Sequence, residues 1–160
     1  MASEELAQTA LRYARGTPHR TFVLYPALVL GLKLLTSCGH PRVAWRYLPL
    51  LAWGYLEYRL CRVYRGRHGG GGPGLDHPPT TLVTTGPYAY TRNPMYLGHV
   101  IFLVGLALFA RSRLALLLAA GVAWWFDQRV RADEERLAHL FGDQYVYYRS
   151  TVARWIPGIF

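Results

Sequence analysis

Apolar residues gather in four runs, at about residues 22–37, 43–60, 96–110 and 114–126, separated by short polar breaks. Each is long enough for a helix and rich in Leu, Val, Ala and Phe, so the pattern predicts an all-α protein of about four membrane-embedded helices. None reaches the ideal of about 20 uncharged apolar residues. Lys33 and Arg46 interrupt the first two runs, at positions from which a long side chain snorkels to a headgroup. The last two runs are about 20 Å long at a rise of about 1.5 Å per residue. Only Arg111-Ser112-Arg113 joins them, which predicts a tight helical hairpin. Gly98 and Gly105 on one partner and Gly121 on the other are expected to let its two backbones approach closely. Trp124 and Trp125 fall where an interfacial aromatic belt belongs.

The polar breaks give this bundle an orientation. Thirteen arginines lie in the N-terminal tail, near the central loop and in the C-terminal tail, against Arg42, Arg111 and Arg113 in the other two loops. Four spans with both termini and the central loop cytoplasmic produce that asymmetry, and a soluble bundle has no reason to. The first residues lack the basic start of a signal peptide. Leu6, Ala10 and Tyr13 predict instead a short amphipathic helix on the membrane surface. Residues 69–79 hold a Gly/Pro-rich linker, which divides the chain into an N-terminal part (1–68) and a catalytic part (80–160). No strand precedes these glycines and no Lys-Ser or Lys-Thr follows, so they do not cradle a phosphate.

Composition narrows the classes further. A chain of 160 residues that is 52% hydrophobic yet carries a formal charge of +9 is not built like a nucleic-acid binder, whose arginines would not be interleaved with long apolar runs. Cys38 and Cys61 are the only cysteines, and the histidines show no ligand spacing, so neither a bound metal nor a disulfide framework is expected.

Two polar clusters flank the predicted hairpin. The first runs from Gly86 through Tyr88, Tyr90 and Arg92 to Asn93-Pro94-Met95-Tyr96; Asn93 is a good N-cap and Pro94 a good first helical residue. The second contains Asp127, Arg129, Asp133, Glu134 and Glu135, then Phe141-Gly142, Tyr145 and Tyr148, on a helix with Leu137, Leu140 and Phe141 expected to face inward. A hairpin brings both clusters to one face, where acids and tyrosines seek a cation and Arg129 seeks an anion.

These motifs resemble a known family. Leu82-Val83-Thr84-Thr85-Gly86-Pro87-Tyr88, followed by Arg92-Asn93-Pro94-Met95-Tyr96 and Gly98, is similar to the first signature of the isoprenylcysteine carboxyl methyltransferases and of their relatives, the phospholipid N-methyltransferases. Asp133-Glu134, Phe141-Gly142, Tyr145, Tyr148, Val152, Arg154 and Ile156-Pro157 resemble the second. The resemblance covers residues 80–157. It implies an S-adenosylmethionine cofactor contacted by Thr80, Thr81, Leu82, Val83, Tyr88, Asn93, Pro94, Met95, Tyr96 and either Asp133 or Glu134. It places Arg129 on the side of a lipid or lipidated acceptor. Asn93 replaces the usual His of the isoprenylcysteine branch and matches the phosphatidylethanolamine branch better, and Asp133 stands where the first acid is usually Glu.

The residue types suit that chemistry. A carboxylate holds the cofactor's amino group by a charge-assisted hydrogen bond, and tyrosine faces favour a sulfonium. Carboxylate O-methylation needs no base. Phospholipid amine N-methylation, the alternative, requires the amine to arrive neutral or shed a proton to Glu134, the catalytic candidate, to Glu135 or to water. A third possibility is an NADPH-dependent membrane reductase of the sterol reductase type, which has a related hairpin.

Overall fold

The computed structural model describes residues 16–37, 42–70 and 79–156, and among these every regular element is helical. The proposed N-terminal surface helix and most of the glycine linker lie outside the described residues.

Helix α1 is assembled from Thr17–His19, a π-helical stretch Arg20–Leu24 and Tyr25–Thr36. A 3-10 turn, Trp45–Tyr47, leads into α2, Leu48–Gly69. Another, Gly86–Ala89, precedes α3, Pro94–Phe109, which is followed by α4, Arg113–Phe141, and α5, Asp143–Thr151. Pro49 and Pro94 stand in the first turns of α2 and α3, where a missing N–H costs nothing. Gly142, at φ +52°, separates α4 from α5.

Several element boundaries differ from the hydropathy pattern. The second helix begins at Leu48 rather than Val43 and continues through Gly69, into the expected linker. The fourth does not stop at Phe126: it runs unbroken to Phe141, because nothing between them is Gly or Pro and most residues there are good helix formers. On this long helix Phe126, Val130 and Glu134 form the buried stripe, whereas Leu140, expected inside, is 52% exposed.

Glycines set the tightest packing, but between a different pair of helices than the hairpin predicts. A Cβ on Gly54 of α2 would lie 2.5 Å from the backbone N of Phe102 on α3, and one on Gly98 would lie 2.8 Å from Gly54 O and from Tyr58 N. One on Gly105 would meet Leu51 N at 3.1 Å, so α2 and α3 run antiparallel at backbone contact. Gly121 on α4 faces open space. Phe22 of α1 closes the bundle over this pair, 5.0 Å from the Tyr58 ring and 4.8 Å from those of His99 and Phe102.

The α3–α4 turn is as short as expected. Ser112 N donates to Ala107 O and Arg111 N to Leu108 O, a Schellman arrangement with Arg111 at φ +48°. Ser112 Oγ then accepts from Ala115 N at 3.2 Å and caps α4. Arg111 is the one non-glycine residue with positive φ among those described. Arg111→Gly is therefore expected to stabilise the fold by roughly 0.5–1 kcal/mol, read as a higher denaturation midpoint.

Among the described residues no helix is both long and apolar enough to cross a membrane. α3 has 16 residues, and α2 and α4 carry charges along their C-terminal halves.

Candidate functional site

The hairpin brings the start of α3 to the middle of α4. Tyr96, in the first turn of α3, donates from its hydroxyl to Asp133 Oδ2 at 3.2 Å and accepts from Arg129 Nε at 3.1 Å. Arg129 and Asp133 are one helical turn apart, with Nε–Oδ2 at 4.0 Å. The expected meeting of the two polar clusters thus occurs through a tyrosine that bridges a cation and an anion. Arg129 also lies over the Trp125 ring at 5.6 Å. Burial pushes the Asp133 carboxyl above its ordinary range, against the opposing pull of Arg129 and the Tyr96 hydroxyl.

Glu134, one residue on, sits in a different environment. It is 3% exposed, and both its oxygens are engaged. Arg92 donates from Nε to Oε1 at 3.0 Å, and Arg154 from Nη2 to Oε2 at 2.9 Å. Arg92 Nη1 also donates to the carbonyls of Arg149 and Val152, at 2.6 and 3.0 Å. Asp127 extends the network outward, accepting from Trp155 Nε1 and Arg131 Nε, which hold its carboxyl below the usual range. These contacts strap residues 149–155 across the start of α3.

The strap redirects Asn93. The residue occupies the N-cap position of α3, but its side chain caps nothing; Nδ2 donates instead to Arg154 O at 3.3 Å. Thr91 Oγ1 donates to the same carbonyl at 3.0 Å, and Arg92 N to Ala153 O at 2.9 Å. Pro94 is buried beneath, and Met95 is half-buried beside Tyr96. Tyr88 is buried, its carbonyl accepting from Tyr148 Oη at 2.6 Å, and its hydroxyl titrates well above the usual tyrosine range through burial.

Thr80, Thr81, Leu82 and Val83 lie against the C-terminal end of α2. Thr80 N and Thr81 N both donate to Gly69 O, at 2.9 and 3.2 Å, and a Cβ on Gly69 would lie 2.7 Å from Val83 Cγ2. Gly86, at φ +59°, packs on Tyr64, whose hydroxyl is 2.8 Å from Thr85 Oγ1. The end of α2 is thereby part of the site. Arg65 acts electrostatically on both Tyr88 and Asp133, and Cys61 acts on Tyr88. Sequence reasoning missed Arg65, although the buried positions 51, 54, 58 and 61 define a helical face whose continuation is residue 65.

A family model described as phospholipid methyltransferase matches residues 74–144, the segment that holds this cluster. The chain is also similar to protein-S-isoprenylcysteine O-methyltransferases: 40% identical over 77 residues to that of Schizosaccharomyces pombe, and 35% identical over 79 residues to that of Saccharomyces cerevisiae. Those alignments cover 48% and 49% of this chain but only 33% of either relative, so the chain spans about a third of the curated relatives it matches. The fold is shared with a solved eukaryotic intramembrane Ras methyltransferase, an isoprenylcysteine carboxyl methyltransferase, at a TM-score of 0.64 and 21% identity over 91% of this chain and 54% of that one.

The donor set in the matched segment suits a zwitterionic sulfonium cofactor: Asp133 offers a carboxylate, and Tyr96 and Tyr88 offer aromatic surface.

Proposed function

We propose that this protein is an integral membrane methyltransferase that uses S-adenosylmethionine to methylate the carboxylate of a prenylated acceptor. The observation that carries this is the Arg129–Tyr96–Asp133 cluster, a cation and an anion bridged by a tyrosine at one end of an apolar helical hairpin. S-Adenosylmethionine, when bound, supplies a methyl group on a sulfonium suited to in-line displacement. Asp133 would hold the cofactor's amino group, and Tyr88 and Tyr96 would line its sulfonium end. The segments around Thr80–Val83 and Asn93–Met95 wall the site. Arg129 would orient the acceptor carboxylate beside the cofactor, so that the protein contributes chiefly by positioning the two reactants.

Glu134 favours this acceptor over a phospholipid amine. An amine must lose a proton, and both oxygens of the nearest buried acid are taken up by the guanidinium groups of Arg92 and Arg154, so neither is turned toward an acceptor. We assign Glu134 a structural role and Asp133 the cofactor contact. The bilayer as surroundings is supported by apolar residues on the outer helix faces, among them Leu35, Leu114 and Trp124 at 80, 72 and 68% exposed. With the arginine asymmetry, they favour a multi-pass protein with both termini and the site cytoplasmic.

The test is methyl transfer from radiolabelled cofactor to an S-prenylcysteine or to phosphatidylethanolamine, in detergent. Transfer to the first alone is expected. Transfer to the amine alone, or a thermal shift with NADPH and none with S-adenosylmethionine, overturns the reading. Arg129→Ala is expected to lower kcat/KM for the carboxylate acceptor by about tenfold, with cofactor affinity changed less than twofold.

A further inference from the structure

Tyr88 stands in a turn of only four residues, Gly86–Ala89, whose own backbone bonds are long. Tyr88 N donates to Thr85 O at 3.2 Å, Tyr90 N to Pro87 O at 3.3 Å and Thr91 N to the same carbonyl at 3.4 Å. Each exceeds the usual N–H···O distance of about 2.9–3.0 Å, and a 3-10 turn this short does not fix its side chains by itself. Two shorter contacts reach the turn from outside. Tyr148 Oη, on α5, donates to Tyr88 O at 2.6 Å, and Tyr64 Oη, on α2, lies 2.8 Å from Thr85 Oγ1. The Tyr64 ring also lies flat against Gly86, where a Cβ would come 2.6 Å from Tyr64 Cζ.

We infer that Tyr64 and Tyr148 are positioning residues, a two-sided clamp that sets where the Tyr88 ring meets the cofactor's sulfonium end. The inference rests on the cofactor reading above. Neither tyrosine has to touch the cofactor. One fixes the residue before the turn and the other fixes Tyr88 itself, three residues on, so the turn cannot pivot about a single attachment. Both anchors are themselves held. The His68 ring stacks on that of Tyr64 at 4.1 Å, and His68 Nδ1 lies 2.9 Å from Tyr64 O. Tyr148 is buried beside Tyr145, and its helix is tied at Arg149 O to Arg92, the guanidinium paired with Glu134. Burial pushes the Tyr148 hydroxyl above the ordinary tyrosine range, so it stays protonated and a donor. Tyr64 precedes and Tyr148 follows residues 74–144, which the family model matches, so the clamp comes from parts of the chain outside that match.

The experiment introduces Tyr148→Phe and Tyr64→Phe separately into the full chain in detergent, each removing one hydroxyl and keeping the ring. Calorimetry then compares S-adenosylmethionine with S-adenosylhomocysteine, which lacks the methyl group and the positive sulfur. An aromatic face displaced from the sulfonium costs the charged compound alone. Kd for S-adenosylmethionine is therefore expected to rise about three- to tenfold in each variant, while that for S-adenosylhomocysteine stays within about twofold. Equal weakening of the two compounds is what a loosened fold would give, and it overturns the inference. Leu103→Val, a buried substitution in the core of α3, is the control: it is expected to lower Tm and leave the ratio of the two Kd values unchanged. A changed ratio there also overturns the inference, because instability alone would then move it. Should Tyr64→Phe fold poorly, Thr85→Val removes the same contact from its other end and is read in the same way. No binding of either compound by the unaltered chain rejects the methyltransferase reading and this inference with it. Binding that both substitutions leave unchanged rejects the inference alone.

Discussion

Glu134→Ala is expected to destabilise the protein by about 3–5 kcal/mol, the cost of removing one partner from a buried ion pair. The reason is geometric. Arg92 is 8% exposed at its side chain, so deleting the carboxylate leaves a guanidinium in a site that water barely reaches. Arg92 keeps its bonds to the carbonyls of Arg149 and Val152, which hold its position without neutralising it. Arg154 is less buried and recovers part of its loss through Asp127, 3.8 Å away. For a chain of this length the change corresponds to a fall in Tm on the order of 10 °C, measured by differential scanning fluorimetry in detergent. Glu134→Gln keeps the shape and one acceptor oxygen, and should lie between. Replacing Arg92 and Glu134 together by Met and Leu should recover much of the loss, because apolar side chains satisfy that volume without a stranded charge. If Glu134→Ala instead leaves Tm unchanged while abolishing cofactor binding, the structural assignment fails and Glu134 belongs with Asp133.

Which parts of this were legible in the sequence follows from how far apart the partners lie. The α3–α4 turn was readable because its determinants are adjacent: Ser112 caps the helix that begins one residue later. The meeting of Tyr96 with Asp133 and Arg129 followed from that turn alone, since two helices joined by three residues must run back alongside each other. The glycines were misassigned for the opposite reason. A small residue announces a close approach but not the approaching partner, and Gly98 and Gly105 approach α2, not α4. Asn93 had a sound local role as a cap and lost it to a carbonyl 61 residues away. The ion pairs of Glu134 were not legible because its partners, Arg92 and Arg154, are 42 and 20 residues distant. Neither interaction has a periodic signature; both depend on how the C-terminal strap lies.

Asp133→Ala is expected to weaken S-adenosylmethionine binding by about 10- to 100-fold in isothermal titration calorimetry, the worth of one charge-assisted hydrogen bond of roughly 1.5–3 kcal/mol. Asp133→Asn separates charge from shape and should lose nearly as much. The pH dependence makes the assignment specific. Burial raises the folded-state pKa of Asp133 above 3.8, the value expected for an unperturbed Asp. The ionised carboxylate binds the cofactor's ammonium group, so affinity is full above the raised pKa and falls as pH drops through it. The loss begins at a higher pH than an exposed aspartate would give, and Asp133→Asn should show no such fall. Stability runs the other way. A carboxyl whose folded pKa is raised contributes stability that is fully present below its unfolded pKa and lost as pH rises through the folded one. At neutral pH the ionised Asp133 is therefore a burden on the unliganded fold, and Asp133→Asn should be at least as stable as the unaltered chain while binding cofactor poorly. A residue whose role is only to brace α4 through Arg129 would lose stability on that substitution. Loss of Tm with cofactor affinity intact would remove Asp133 from the site, and a higher Tm with affinity lost would fix it as the group that meets the cofactor's positive end.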